Sequence, residues 1–300
     1  MQACNKADLF RSFNSSGSSN LSNSSGSWNR FGALLWLCAA LLLCGCQTVQ
    51  TTNAGAVGVE RTQRMAISSE RIDGEARQQY QQTLQTEQKK GHLNRNPQQL
   101  QRVRQIAERI IPQTGVFRPE APRWQWEVNV ISSNEVNAWC MPGGKIAVYT
   151  GLIDKLQITD DELAAVLGHE IAHALREHAR ERASEQAGTQ VLANVVDIIG
   201  AVYGVQGVGK LASTGLQLGI GLPHSREQET EADRIGIELA ARAGYNPQAA
   251  VVLWQKMQQA GGSQPLAFLS THPAPSDRQN DLRLYAQRLQ PLYQQSGYAR

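Results

Sequence analysis

The chain has 300 residues, 18% of them charged and 41% hydrophobic, with a formal net charge of +3 and five cysteines. That length buries a real core, which excludes disorder of the whole, and so small a net charge gives no reason to expect a nucleic-acid partner. Cys4, Cys38, Cys44 and Cys46 crowd the N-terminus and only Cys140 lies beyond, which excludes a disulfide scaffold and a cysteine-rich zinc fold.

Residues 12–27 are almost wholly Ser, Asn and Gly and read as disordered. After Arg30 comes an uninterrupted apolar run, Phe31 to Leu43. As a helix it would reach about 20 Å, short of the roughly 30 Å hydrocarbon core, so it reads as a secretory signal. Its end, Leu43-Cys44-Gly45-Cys46, resembles a bacterial lipobox, which makes residues 1–45 a removed signal peptide and Cys46 the lipidated N-terminus. Gln47 stands where an Asp would resemble an inner-membrane retention signal. The expectation is an outer-membrane lipoprotein of a Gram-negative bacterium, facing the periplasm and held to lipid through acylated Cys46. Removing the signal takes away Lys6, Arg11, Arg30 and Asp8, leaving a nearly neutral chain.

Small polar residues over 47–60 suggest that 46–68 is a flexible tether before a single domain over 69–300. Gln-rich helices are expected over Ser69–Lys90 and, after Asn96-Pro97, over Gln98–Ile111, with Leu100, Val103, Ile106, Ala107 and Ile110 on one face. The period then shortens: Trp124, Trp126, Val128 and Val130 alternate, followed by strands at Asn137–Met141 and Lys145–Tyr149 around Pro142-Gly143-Gly144. A small antiparallel sheet is the expectation. Thr159 and Glu162 form a capping box that opens a long helix, Asp160 to Gln186. Gly188–Leu222 is apolar but interrupted by Asp197, Gln206 and Lys210, so it reads as a buried or lid-forming helical pair rather than a membrane span. Helices over Ser225–Ala243 and Pro247–Gln259 follow, and the class is α+β, mainly helical.

The chemistry sits in the capped helix, at His169-Glu170-Ile171-Ala172-His173. Two histidines four residues apart share a helix face and can reach one ion, with Glu170 placed to deprotonate a water there. A catalytic zinc takes three protein ligands, and the third is sought in Glu227-Gln228-Glu229-Thr230-Glu231-Ala232-Asp233. Glu229 shares the small, apolar face with Ala232, Asp233 and Gly236, whereas Glu227 and Glu231 share a charged face and read as solvated. Glu229 is therefore the expected ligand and Asp233 a hydrogen-bond acceptor for a ligating imidazole. His178, five residues past His173, is expected at the surface, as are His92 and His224. Cys140 is expected to be packed and inert.

The pairing of H-E-x-x-H with a distal E-x-E-A-D resembles the gluzincin family of CAAX-prenyl-protease-like zinc metallopeptidases (HtpX-, Oma-, BepA- and LoiP-like). The likeness runs from Trp124 to Arg278 through Asn137-Ala138-Trp139, Pro142-Gly143-Gly144, Gly151-Leu152-Ile153, Ser225-Arg226 and Thr271-His272-Pro273. With the lipobox it points toward the LoiP-like outer-membrane lipoproteins. The resemblance implies a zincin-like fold with the sheet packed on the H-E-x-x-H helix, and one Zn2+ per chain held by His169, His173 and Glu229. It further implies Glu170 as general base and a His272–Arg278 pair near the metal, with His272 either stabilising the oxyanion or occupying the open position. Asn137, Ala138, Trp139, Cys140 and Met141 would form an edge strand to which an unfolded or extended polypeptide adds. The implied activity is endoproteolysis of misfolded or stalled envelope proteins. The competing expectation is an outer-membrane assembly scaffold with a His-capped, latent zinc, partnered with the assembly machinery.

Overall fold

In the computed structural model, which describes residues 47–188, 224–261, 266–273 and 277–297, the helix bearing the His pair is the middle of the molecule. Its start is set by the Thr159 hydroxyl, which accepts from the Glu162 amide, and by the Glu162 carboxylate, which accepts from the Thr159 amide. Every residue from Glu162 to Leu175 is buried, so it is enclosed on all sides rather than amphipathic.

In chain order the elements are β1 (Gln47–Val49), β2 (Gln63–Met65), α1 (Ser69–Lys89), α2 (Pro97–Ile110), β3 (Glu127–Ile131), β4 (Ala138–Met141) and β5 (Lys145–Tyr149). The helices α3 (Thr150–Leu156), α4 (Asp160–Leu175), α5 (178–188), α6 (Arg226–Arg242) and α7 (Ala249–Gly261) follow, then α8 (Ala267–Thr271), α9 (Arg278–Arg288) and α10 (Gln290–Gln295). The fold is α+β, as expected. The signal, Cys46 and the apolar segment after Gly188 lie outside the described residues. Among those described, no helix is long and apolar enough to cross a membrane.

Val103, Ile106, Ala107 and Ile110 of α2 are all buried in the main core with α4 and α6, as their spacing requires. The sheet differs from the expectation. Its order is β3-β5-β4, with β4 antiparallel but β3 parallel to β5, so it is mixed. Alternation marks a strand but does not say which strand it pairs with. The β4–β5 turn uses Gly143 and Gly144, both at positive φ, and leaves β5 central, so β3 returns beside β5. The first strand also begins later than its aromatic alternation suggested. Trp124 and Trp126 stack on each other at 5.5 Å before Glu127, and the Trp126 indole donates to the Ala121 carbonyl. A second apolar cluster places Ile72, Ala76 and Tyr80 of α1 against Trp139 and Met141 of β4.

Two further expectations are corrected. The stretch read as a tether is instead a packed strap: β1 pairs with β2, and Val57 and Val59 join the main core. Its polar residues are not spare. The Val57 amide donates to Glu238, Gln63 donates to the Arg176 carbonyl, and the fully buried Arg176 guanidinium donates to Thr51, Thr52 and the Arg61 carbonyl. The long helix is also two helices. It breaks after Leu175, where Glu177 takes a left-handed φ of 51°, and resumes over 178–188.

The contact between α4 and α6 positions the site. A Cβ on Gly168 would lie 2.4 Å from the Gly236 carbonyl oxygen, and one on Gly236 would lie 2.5 Å from the His169 amide nitrogen. Both neighbours are backbone and cannot give, so only glycine allows this approach. Gly168→Ala is therefore expected to lower the unfolding free energy by about 2 kcal/mol and to loosen metal retention together. An unchanged urea midpoint with full metal content would contradict this.

Candidate metal centre

Two helices and one loop bring the candidate ligands together. The α4 register places His169 and His173 on one face, and their Nε2 atoms lie 3.1 Å apart. From α6, whose start is fixed by the Ser225–Gln228 capping box, Glu229 reaches in. Its oxygens lie 3.5 Å from His169 Nε2 and 3.4 Å from His173 Nε2. His272, just after α8, adds its Nδ1 at 3.2 Å from His169 Nε2 and 3.0 Å from Glu229. All four side chains are buried.

These residues fit a metal. Nitrogens and oxygens about 2.0–2.1 Å from a tetrahedral Zn2+ would stand about 3.3–3.4 Å from one another, the spacing seen here. The outer nitrogens have partners that suit ligation: the His169 Nδ1 lies 3.0 Å from Asp233 and the His173 Nδ1 2.7 Å from His178, so the tautomers with the proton on Nδ1 leave both Nε2 lone pairs facing inward. Burial, reinforced by the neighbouring imidazoles, pushes the His173 pKa well down, which keeps it neutral as ligation requires. Burial also pushes Glu229 up, but His272, His169 and Arg278 outweigh that and hold it well below the usual carboxylate range.

Glu170 stands on the cleft side. It is buried, burial raises its pKa, and its Oε1 has no hydrogen-bond partner among the described residues, with His272 Nε2 at 3.5 Å. The cleft in front of it is lined by Asn137 and the β4 residues Ala138, Trp139, Cys140 and Met141, with His173, Arg182, His224 and His272. On its other side β4 has no strand neighbour among the described residues. Cys140 is buried, and desolvation holds its thiol well above the ordinary range, so it is packed and protonated.

Arg278, expected among the catalytic groups, does not line this cleft. Its guanidinium donates to Asp233 and Glu229, each at 2.6 Å, and its face lies 3.6 Å over Trp254, so it clamps the ligands from behind. Three residues read as surface groups are also part of the centre. His178 and Glu231 are buried against each other, and His224 is half-buried with its ring 3.9 Å from that of His173. The helix break brings His178 back onto His173. Glu231 is buried because α6 is packed on two sides, with Gln228, Glu229, Glu231 and Glu238 all inaccessible. His92 is half-exposed and bonded to Glu87.

An α+β fold with H-E-x-x-H on one helix and the ligating Glu on a second defines a gluzincin-type metallopeptidase. The model of "Peptidase family M48" matches residues 97–286, more than half of the chain, and the chain belongs to that family. Zinc is the family's metal. The "Mitochondrial metalloendopeptidase OMA1" of Schizosaccharomyces pombe is 36% identical over 178 residues, 59% of this chain and 50% of that protein. Its Arabidopsis thaliana counterpart is 39% identical over 154 residues, 51% and 30% of the two chains. The "Beta-barrel assembly-enhancing protease" of Escherichia coli K12 is 31% identical over 176 residues, 56% and 36%. The chain thus spans half or less of the length of these relatives.

Metal that binds only the folded state adds stability by mass action, about 2.7 kcal/mol at a hundredfold excess over Kd. Stripping zinc with a chelator is expected to lower the melting temperature by several degrees, and zinc but not magnesium to restore it. Identical melting curves would count against the centre.

Proposed function

We propose that this chain is a zinc-dependent endopeptidase acting on misfolded or stalled envelope proteins, anchored to the outer membrane through acylated Cys46 and facing the periplasm. The observation that carries the reading is the buried Glu170 carboxylate, its Oε1 without a hydrogen bond among the described residues, at the edge of the four-residue ligand cluster and lining a cleft walled by an edge strand. When bound, zinc supplies the Lewis acidity that polarises a scissile carbonyl and activates water. Glu170 takes the proton of the attacking water and passes it to the leaving nitrogen. Its burial-raised pKa suits both halves of that transfer. Asn137 to Met141 would hold the substrate as an added strand through main-chain hydrogen bonds, which are largely blind to side-chain sequence and so suit unfolded chains. Glu170→Gln is expected to keep full zinc content and to lose casein cleavage by a hundredfold or more, on the order of a lost general base. Undiminished cleavage would sink the assignment.

A second reading concerns control of the same site. The His272 Nδ1 stands at the fourth corner of the ligand set, 3.0 Å from Glu229 and 3.2 Å from His169. This position supports His272 as a cap on a latent centre, the form in which the chain would serve chiefly as an assembly factor among outer-membrane machinery. On this reading His272→Ala raises basal cleavage of casein. A fall in cleavage with zinc retained would make His272 a transition-state stabiliser instead.

A further inference from the structure

The two ligating histidines are backed differently. With Nε2 turned to the ligand cluster, each imidazole carries its proton on Nδ1. His169 donates that proton straight to a carboxylate, Asp233 Oδ1, at 3.0 Å. Behind His173 stands another imidazole. The His173 Nδ1 lies 2.7 Å from His178 Nδ1, which must therefore accept. That tautomer puts the His178 proton on Nε2, which donates to Glu231 Oε2 at 3.0 Å. We propose that His178 and Glu231 are positioning residues for the zinc ligand His173, an imidazole-extended version of the carboxylate that backs His169. The proposal rests on the zinc reading of the centre.

Three observations make the relay a built feature. His178 is fully buried, so solvent cannot satisfy its two nitrogens in place of His173 and Glu231. It faces His173 only because the chain breaks at Arg176–Glu177; in an unbroken helix a residue five positions on would point about 140° away. Glu231 is in turn fixed from two directions. Arg61 of the strap donates to both of its oxygens, and Arg176 donates to Oε2 at 3.0 Å. The relay thus runs from the strap through Glu231 and His178 to the ligand. Its effect would be to hold the His173 tautomer and ring plane and to raise the donor strength of Nε2.

Zinc affinity of the full chain, by chelator competition, and the d–d absorption of its Co2+ form test this, with the melting temperature of the metal-free protein as a control. His178→Leu removes the acceptor and is expected to weaken zinc on the order of tenfold and to shift the Co2+ bands. His178→Asn offers Oδ1 near the lost Nδ1 and is expected to recover affinity to within about threefold, an acceptor being the part of His178 that His173 uses. Equal zinc affinity in wild type and His178→Leu would overturn the relay. So would equal weakening in both variants that follows a fall in metal-free melting temperature, since the role would then be packing alone. If His178→Leu does not fold, Glu231→Gln decides: an unchanged Co2+ spectrum and affinity would overturn the proposal. Absence of zinc binding by the wild type would instead bring down the reading of the centre itself.

Discussion

Everything at the centre depends on how closely α4 and α6 approach. Gly168 and Gly236 remove the side chains that would hold these helices apart, and the backbone contact that results sets His169 beside Glu229. The two glycines sit next to the chemistry: Gly168 precedes His169, and Gly236 lies three residues past Asp233. Ligand spacing is therefore a property of main-chain packing, which is stiffer than any arrangement of flexible side chains. The carboxylate and imidazole atoms then need only small rotamer choices to converge.

Close packing of α6 carries an electrostatic consequence. The helix buries Glu229, Glu231, Asp233 and Glu238, and a buried carboxylate is tolerable only with a partner. The partners come from distant parts of the chain. Arg278 of α9 serves Glu229 and Asp233, while Arg61 of the strap and Arg176 serve Glu231. Glu238 takes Arg242 from its own helix and the Val57 amide from the strap. Segments near both ends of the described chain are thus tied to one helix, so the metal centre and the strap form a single cooperative structure rather than a domain on a leash.

Much of this was legible in the sequence, and what was not has identifiable causes. H-E-x-x-H on a capped helix and the inward face of Glu229 follow from 3.6-residue periodicity, and both side chains stand where that periodicity puts them. The same reasoning misplaced Glu231, because periodicity assumes one buried face and α6 has two. It misplaced His178 because Arg176-Glu177 carries no Gly or Pro, and a left-handed Glu177 leaves no mark in composition. The composition of the strap reads as a tether because Thr51, Thr52 and Gln63 look solvated until Arg176 is known to be buried against them. In each case a polar residue was read as exposed when it was satisfied inside.

The same distinction between satisfied and unsatisfied groups separates the roles of the two central glutamates. Glu229 and Glu170 are both buried and both face His272, and on burial alone both would be pushed toward protonation. Glu229 has Arg278 at 2.6 Å and His272 at 3.0 Å, and stays ionised as a ligand must. Glu170 has His272 Nε2 farther off, at 3.5 Å from its Oε1, and burial, the largest influence on it, raises its affinity for a proton. Two carboxylates of nearly equal intrinsic acidity are thereby driven apart by the hydrogen bond of His272 to Glu229, with His169 and Arg278 adding to it.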